Sequence, residues 1–491
     1  MDEPQQSGVV FPLGPDGRRS TTATGRTVWA DAVREIDAAL AGRIMAEGDW
    51  RKGYLARVVE VTAASTRTPG AALSVARAGL AALSERMRFS TAGGVASVPA
   101  AVAATAGPAL GTHRIAGEGV PVRELVVPYR GAQLHGDGLL RQLDTWVRAG
   151  TVEPSFAVAL GRVVAEPAWL DLRDQGFAVL GAGAELGPLA SLLAWGANVL
   201  AVDLPDQRVW ERLLTTACAA AGTLELPLRP GASGNGDLAA VAGADLLTET
   251  PQIAGWLAAT AGPLPLTVGS YAYADGARHV QVAIASDAIV EHLLQTRPGT
   301  SFAELATPTD AYAVPADVVA AARARGTGRG WLQSLSRGAV CAPAYTVTVR
   351  RDDGTEVGIA DALVPQQGPN YSLAKRLQRW RAIVAQAEGR LVSANVAPAT
   401  STRSVTTNRL LAAAYAGAHV FGVEVFAPQT SRTLMAALLV HDLRTGPAVV
   451  DHPDELFAQQ AAHGGLWRMP YAPRSVLGLA AVRGLPAVLR R

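Results

Sequence analysis

Cysteine and lysine are both nearly absent from this chain of 491 residues, which holds two cysteines, Cys218 and Cys341, and two lysines, Lys52 and Lys375. Two cysteines build neither a disulfide framework nor a cysteine-based metal site, and they fit a reducing, cytoplasmic setting. The eight histidines show no H-x-x-x-H or H-E-x-x-H spacing, so no metal site is expected. An excess of one charge is missing too. The formal net charge is only +2 and no block of like charge runs along the chain, which leaves no electrostatic footprint for nucleic acid. Long apolar runs are also lacking, because alanine-rich stretches such as 95–110 are broken by Gly and Pro before reaching the ~20 residues a membrane span needs. The start, Met1 to Gln6, is acidic and polar and does not read as a secretory signal. The positive charge is therefore carried almost wholly by arginine, so a lysine kept where arginine would supply the same charge suggests a chemical reason.

Nearly half the residues are hydrophobic, enough for a large core, and the length exceeds the ~250–300 residues at which single cores stop growing. We expect a flexible arm at 1–25, a mostly helical region at 26–165, and an α/β domain with a C-terminal extension at 166–491. In the helical region Val33, Ile36, Leu40 and Ile44 share one face of a helix over 28–45, a second helix covers 52–63, and Thr68-Pro69 starts a third. Residues 91–111 read as irregular, 123–127 as a strand, and 138–164 as helical.

The most informative stretch is 177–203. Phe177-Ala178-Val179-Leu180 suits a buried parallel strand, Gly181-Ala182-Gly183-Ala184-Glu185-Leu186-Gly187 follows, and Leu189, Leu192 and Leu193 recur at helical spacing. A second strand, 198–202, ends on Asp203. Strand, glycine turn, helix, strand and acid in that order read as a Rossmann-like, doubly wound parallel sheet. Gly181 permits the tight turn and Gly183 a close approach to a pyrophosphate. Gly187 allows helix–strand packing, and a helix from Ala184 offers its N-terminus to the anion. Asp203 then accepts the adenosine ribose hydroxyls, and its charge favours NAD, with NADP as the alternative cofactor. After Asp203 the alternation continues: a helix at 210–221, a third strand ending at 244–247 that puts Asp245 near the cofactor, a helix at 251–259, a fourth strand at 265–269 and a helix at 280–294. Residues 297–345 read as a long connection with a helical piece at 315–325, followed by a strand at 345–350.

A second stretch carries the chemistry. Tyr371 and Lys375 stand four apart just inside a helix, on one face, where an ammonium stabilises a phenolate and makes tyrosine a usable general acid and base. Here the chain resembles the short-chain dehydrogenase/reductase family over about 175–445, and Leu391 to Ala399 looks like that family's sixth strand and proline-containing turn. By that resemblance Tyr371 carries the proton, Lys375 binds the nicotinamide ribose, and Pro398 and Thr400 lie beside the nicotinamide. The serine that the family places about a dozen residues before the tyrosine is absent near 357–359, leaving Thr355, Asp361 or Gln367 to replace its hydrogen bond. The expected activity is oxidoreduction of a carbonyl or secondary alcohol on a hydrophobic small molecule. The alternatives are an isomerase, epimerase or lyase that retains its cofactor, and a non-catalytic dinucleotide-binding protein.

Other residues carry weaker readings. Ser286-Asp287 occupies the helix where the family often holds a relay asparagine, though a solvated helix turn is the plainer reading. Trp467, Met469 and Tyr471 read as core or as lining for an apolar substrate. The apolar 476–489 tail offers a contact for a homo-oligomer or for a membrane surface.

Overall fold

The computed structural model describes residues 7–104, 109–232, 236–327 and 341–489. Its central sheet has seven strands, in the spatial order Val392–Val396, Ser301–Ala306, Leu266–Ser270, Gly176–Leu180, Asn198–Val202, Thr223–Leu228 and Gly111–Ala116. The first six named are mutually parallel, and Gly111–Ala116 adds antiparallel to the edge. Counted along the chain, the parallel strands run 3-2-1-4-5-6 across the sheet. Strand order therefore reverses beside Gly176–Leu180, and the crevice outside the carboxyl ends at such a reversal is where open α/β sheets bind ligands.

Strands such as Phe-Ala-Val-Leu are apolar at every position because both faces of the sheet are covered. Phe177 and Val179 face a layer that includes the helices Gly136–Ala149, Pro154–Ala165, Gln207–Ala219 and Pro428–Thr445. Ala178 and Leu180 face the opposite layer, which includes Thr21–Val33, Pro69–Arg86, Ala277–Thr296 and Gly368–Ala387. The expected helical region contributes to both layers and also supplies the Gly111–Ala116 edge strand.

Several elements differ from the sequence expectation, each for a local reason. The third parallel strand is Thr223–Leu228, and the 244–247 segment is a turn in which Asp245 Oδ1 accepts from Leu247 N at 2.9 Å. Pro227 hides this strand in the sequence, since proline lacks the N–H that an interior ladder position uses. The fifth strand, Ser301–Ala306, lies inside the stretch read as a connection; Glu304 interrupts its apolar run. Beyond it, Ala311–Pro315, Thr348–Arg350 and Glu356–Asp361 form a separate antiparallel sheet. The single helix read over 28–45 is two, Thr21–Val33 and Ala38–Ala46, divided where Asp37 accepts from Leu40 N and caps the second. In the segment expected as an arm, Gly8–Val10 pairs antiparallel with Arg88–Thr91, and Val9 N donates to Leu247 O at 2.9 Å.

The helix Gly368–Ala387 is the most heavily buried of the set. Trp380 meets Trp29 edge-on at 5.5 Å between ring centroids, and its ring lies so close to Gly79 that any Cβ there would collide with it at 2.4 Å. Tyr54 donates to Val364 O at 3.3 Å. Two turns of the helix are fixed by one acid: Asp310 Oδ1 accepts from Arg376 Nη2 at 2.8 Å and Oδ2 from Arg379 Nη1 at 2.7 Å, all three side chains being buried. Burial pushes the Asp310 carboxyl up, but the two guanidinium groups outweigh it and hold the acid below its ordinary value. Replacing it in Asp310→Asn strands two buried cations. Denaturant unfolding at neutral pH should record a loss of about 3–5 kcal/mol, the usual cost of breaking a buried pair from one side.

Candidate active site

A cavity of about 1450 Å³ opens at the carboxyl edge of the parallel strands. It is lined by Gly181 after the first parallel strand, Asp203 after the second, Tyr271 after the fourth, Thr307 after the fifth and Pro398 after the sixth. Gly181, Gly183, Gly187, Asp203, Asp245, Tyr371, Lys375, Pro398 and Thr400 all line it, although they are spread over more than two hundred residues of sequence.

At the glycine end, Gly181 has φ +84°, and a Cβ there would lie 2.5 Å from the backbone of Ala272. The turn therefore admits only glycine in this arrangement. Asp203 Oδ2 accepts from Gly183 N at 2.6 Å and Oδ1 from Leu204 N at 2.8 Å. Burial raises its carboxyl above the ordinary value, partly offset by these two N–H donors and by the charge of Arg212. Arg212 Nη2 also donates to Gly183 O at 3.3 Å. The helix expected from Ala184 begins instead at Leu189 and runs only to Ala194. Two consecutive turns, Ala184 N to Gly181 O and Gly187 N to Ala184 O, occupy the intervening residues, and Pro188 precedes the helix. No helix starts at Ala184 to present its N-terminus beside Gly183.

The middle of the cavity holds Tyr371. Its ring packs against His279 at 5.3 Å and Tyr273 at 6.4 Å between centroids, so the loop that touches Gly181 also touches the tyrosine. Burial pushes the Tyr371 hydroxyl up; a hydrogen bond with Thr307 lowers it, and the charge of Asp310 raises it further. This direction is opposite to that expected from a neighbouring lysine. Lys375 Nζ points elsewhere, donating to Gln378 Oε1 at 2.8 Å and to Leu305 O at 3.2 Å. Burial lowers the lysine's pKa, opposed by the charge of Glu304. His279 is pushed down to about 4, chiefly by burial and then by Lys375, so it is neutral at pH 7.

Thr307 is the hydroxyl beside the tyrosine. It was not among the three candidates, because the antiparallel sheet of residues 311–361 separates it from Tyr371 in sequence. Of those three, Gln367 lines the cavity and donates to Thr309, whose hydroxyl lies 2.9 Å from that of Thr307. Thr355 belongs to a turn with Asp353, and Asp361 pairs with Arg474. Legible signals for Thr307 were the six residues 301–306 and the Thr-Pro-Thr-Asp turn that ends them. At the sixth strand's end, Thr400 Oγ1 donates to Pro398 O at 2.8 Å and lies 2.6 Å from Ser431 Oγ.

The far end is apolar, lined by Leu411, Tyr415, Phe421, Met469 and Val476 from the C-terminal helices and the turns between them. Trp467 stacks on His463 within the core instead. Ser286 and Asp287 are both buried, and Asp287 accepts two hydrogen bonds from Arg381, at 2.7 and 2.9 Å, in a structural ion pair. No helix among the described residues is long and apolar enough to cross a membrane, and no group of three or more His, Cys, Asp or Glu among them is arranged to hold a metal.

No family model and no curated protein matches the chain. A solved structure with some similarity is a thiolation-reductase di-domain from an archaeal non-ribosomal peptide synthetase, aligned at 13% identity with a TM-score of 0.27. The alignment covers 54% of this chain and 66% of that one.

The glycine turn gives a direct test of the cavity's geometry. Gly181→Ala should lose about 1–3 kcal/mol in thermal unfolding, from positive φ and backbone collision together. Gly262→Ala, where an added Cβ meets nothing within 4 Å, should change stability little.

Proposed function

We propose that this chain is a nicotinamide-dinucleotide-dependent oxidoreductase of the short-chain dehydrogenase/reductase kind, acting on a carbonyl or secondary alcohol of a hydrophobic small molecule. The observation that carries the reading is one continuous cavity at the strand-order reversal, which runs from the glycine turn past Tyr371 to an apolar end. On this reading the six parallel strands are a Rossmann-type core within 166–491, and residues 26–165 pack around it and add the antiparallel edge strand.

The residues fit such a cofactor. Glycine at position 181 keeps the turn open, and Asp203 spends two acceptor sites on backbone N–H groups while a carboxylate has about four. The volume exceeds the ~300–1,000 Å³ of ordinary small-molecule sites, which leaves room for a dinucleotide and a substrate together. Bound there, the nicotinamide supplies or accepts hydride. The chain's own part is to orient and to move a proton. Tyr371 O–H donates to the substrate oxygen in reduction and takes the proton back in oxidation, while Thr307 holds that phenol and the same substrate oxygen in line. Lys375, with two of its three N–H donors on Gln378 and Leu305, would offer the third to the nicotinamide ribose, while Pro398 and Thr400 would line the ring's site and Asp245 the adenosine end. Neutral His279 packs on Tyr371 and keeps water from it. A carboxylate at Asp203 disfavours a 2′-phosphate, so NAD is the preferred form; Arg212 is the base whose charge would favour NADP.

Calorimetry should show NAD(H) binding more tightly than NADP(H), with the preference reduced in Asp203→Ala. In a panel of apolar ketones and secondary alcohols followed by nicotinamide absorbance, Tyr371→Phe should abolish turnover and spare dinucleotide binding. Lys375→Arg should be severely impaired, because a planar fork replaces a compact ammonium. Failure of both dinucleotides to bind would end the proposal.

A further inference from the structure

The C-terminal helix Pro473–Leu489 is apolar on two sides. Val476, Ala480, Ala481 and Gly484 are buried, while Leu479, Val482, Leu485 and Leu489, recurring at spacings of three and four, share the opposite face and are exposed to water. Val482 is 71% exposed and Leu489 76%. A surface helix ordinarily carries polar residues on its water-facing side, yet Arg483 is the one polar side chain in 476–489, and it stands at the flank of the apolar face.

This helix packs on Arg409–Gly417 with the two backbones in close approach. A Cβ on Gly417 would collide with the carbonyl oxygen of Ala480, and one on Gly484 with that of Ala413. The pair shares a small core with Phe421 and Met469, distinct from the two large cores on either side of the sheet. Its inner side, through Leu411, Tyr415, Val476 and Leu477, walls the apolar end of the cavity. The thickness of one helix therefore lies between that end and the exposed leucines.

Charge selects what covers this face. The stretches 397–423 and 456–491, which contain both helices, hold no Asp or Glu at all. Arg468 and Arg474 pair with Glu153 and Asp361 from other parts of the chain. Arg409 and Arg483 are exposed, and Arg490 and Arg491 follow in the sequence. A second copy meeting this face about a two-fold axis would set arginine against arginine with no carboxylate between them, because such an interface brings one patch against itself. An anionic bilayer supplies both things the face calls for, acyl chains for the leucines and phosphate groups for the guanidiniums.

We propose that this helix pair is a docking surface for an anionic lipid bilayer, lying in the plane of the interface with Leu479, Val482, Leu485 and Leu489 among the acyl chains. The apolar end of the cavity then stands beside the bilayer, and a hydrophobic substrate reaches it from the lipid without crossing water. That route rests on the oxidoreductase reading above; the contact with lipid does not.

Flotation of the full chain with vesicles tests the contact without dinucleotide or turnover. Vesicles of phosphatidylcholine and phosphatidylglycerol in equal parts should carry the protein, and vesicles of phosphatidylcholine alone should carry much less. High salt should release part of what is bound, since it screens the arginines. Val482→Ser combined with Leu485→Ser should weaken binding about tenfold or more. Arg409→Gln should narrow the preference for the acidic vesicles. Val95→Ser, at an exposed valine of the Gly94–Ser97 strand, should bind as wild type does. All these positions face water, and thermal unfolding of each variant checks that the fold is kept. No binding to the mixed vesicles, equal binding to both kinds, or undiminished binding in the double variant overturns the proposal. A lipid-free dimer that the double variant breaks, with no vesicle binding, assigns the face to a second copy instead. Vesicle binding by a protein that turns over no apolar ketone or alcohol keeps the docking surface and removes the oxidoreductase reading alone.

Discussion

Asp310 answers two guanidinium groups at once, and the placement of the cavity's reactive half passes through that carboxylate. It stands in the turn after the fifth parallel strand, three residues beyond Thr307, and it grips the helix Gly368–Ala387 at Arg376 and Arg379. A helix advances about 1.5 Å per residue along a stiff axis, so two fixed points set the height and rotation of everything else on it. Tyr371 and Lys375 lie within the preceding turns and inherit their positions. The arginines are held in turn: Arg376 reaches Thr62, and Arg379 lies over the rings of Tyr312 at 4.1 Å and Phe457 at 4.7 Å. A buried triad of this kind is a poor source of stability compared with apolar packing, but its bonding pattern tolerates only one register between helix and strand.

The cavity's two ends differ in how they are made. At the glycine end the walls are backbone, shaped by one positive φ and by N–H groups already spoken for by Asp203. The apolar end is built from side chains on helices that come late in the chain. Between them the neutral imidazole of His279 and the ring of Tyr273 close around the phenol, so that the polar and apolar halves meet at one hydroxyl. That gradation suits a ligand that is charged at one end and greasy at the other.

How much of this the sequence discloses depends on whether a feature is local. The strand at 176–180, the glycine turn, the second strand with Asp203, and the Tyr371 helix are each written in a continuous run of residues with its own period or turn chemistry, and each is where the residues indicate. Thr223–Leu228 and Ser301–Ala306 were hidden because each breaks its own pattern: a proline in one, a glutamate in the other. Those exceptions have tertiary causes. Pro227 lies one strand in from the sheet edge, and the charges of Lys375 and Arg379 offset part of the cost of burying Glu304. Contacts across hundreds of residues, such as Thr307 with Tyr371 or Asp310 with its arginines, leave no periodic trace. The Tyr371 hydroxyl is pushed up by burial and not drawn down by the lysine, for a related reason. Spacing of four places a lysine on the same helix face, but its ammonium donates to Gln378 Oε1 and to the carbonyl of Leu305.

The contact between Tyr54 and Val364 spans 310 positions, and the edge-on contact of Trp29 with Trp380 a similar interval. Such pairings bear on how the chain is made as well as on how it stands. During synthesis the amino-terminal helices emerge with their apolar faces open, since the helix that covers them leaves the ribosome only after three quarters of the chain has been translated. Topology of this kind slows folding and prolongs exposure of sticky surface. The amino-terminal helices are thus a late-closing part of the core.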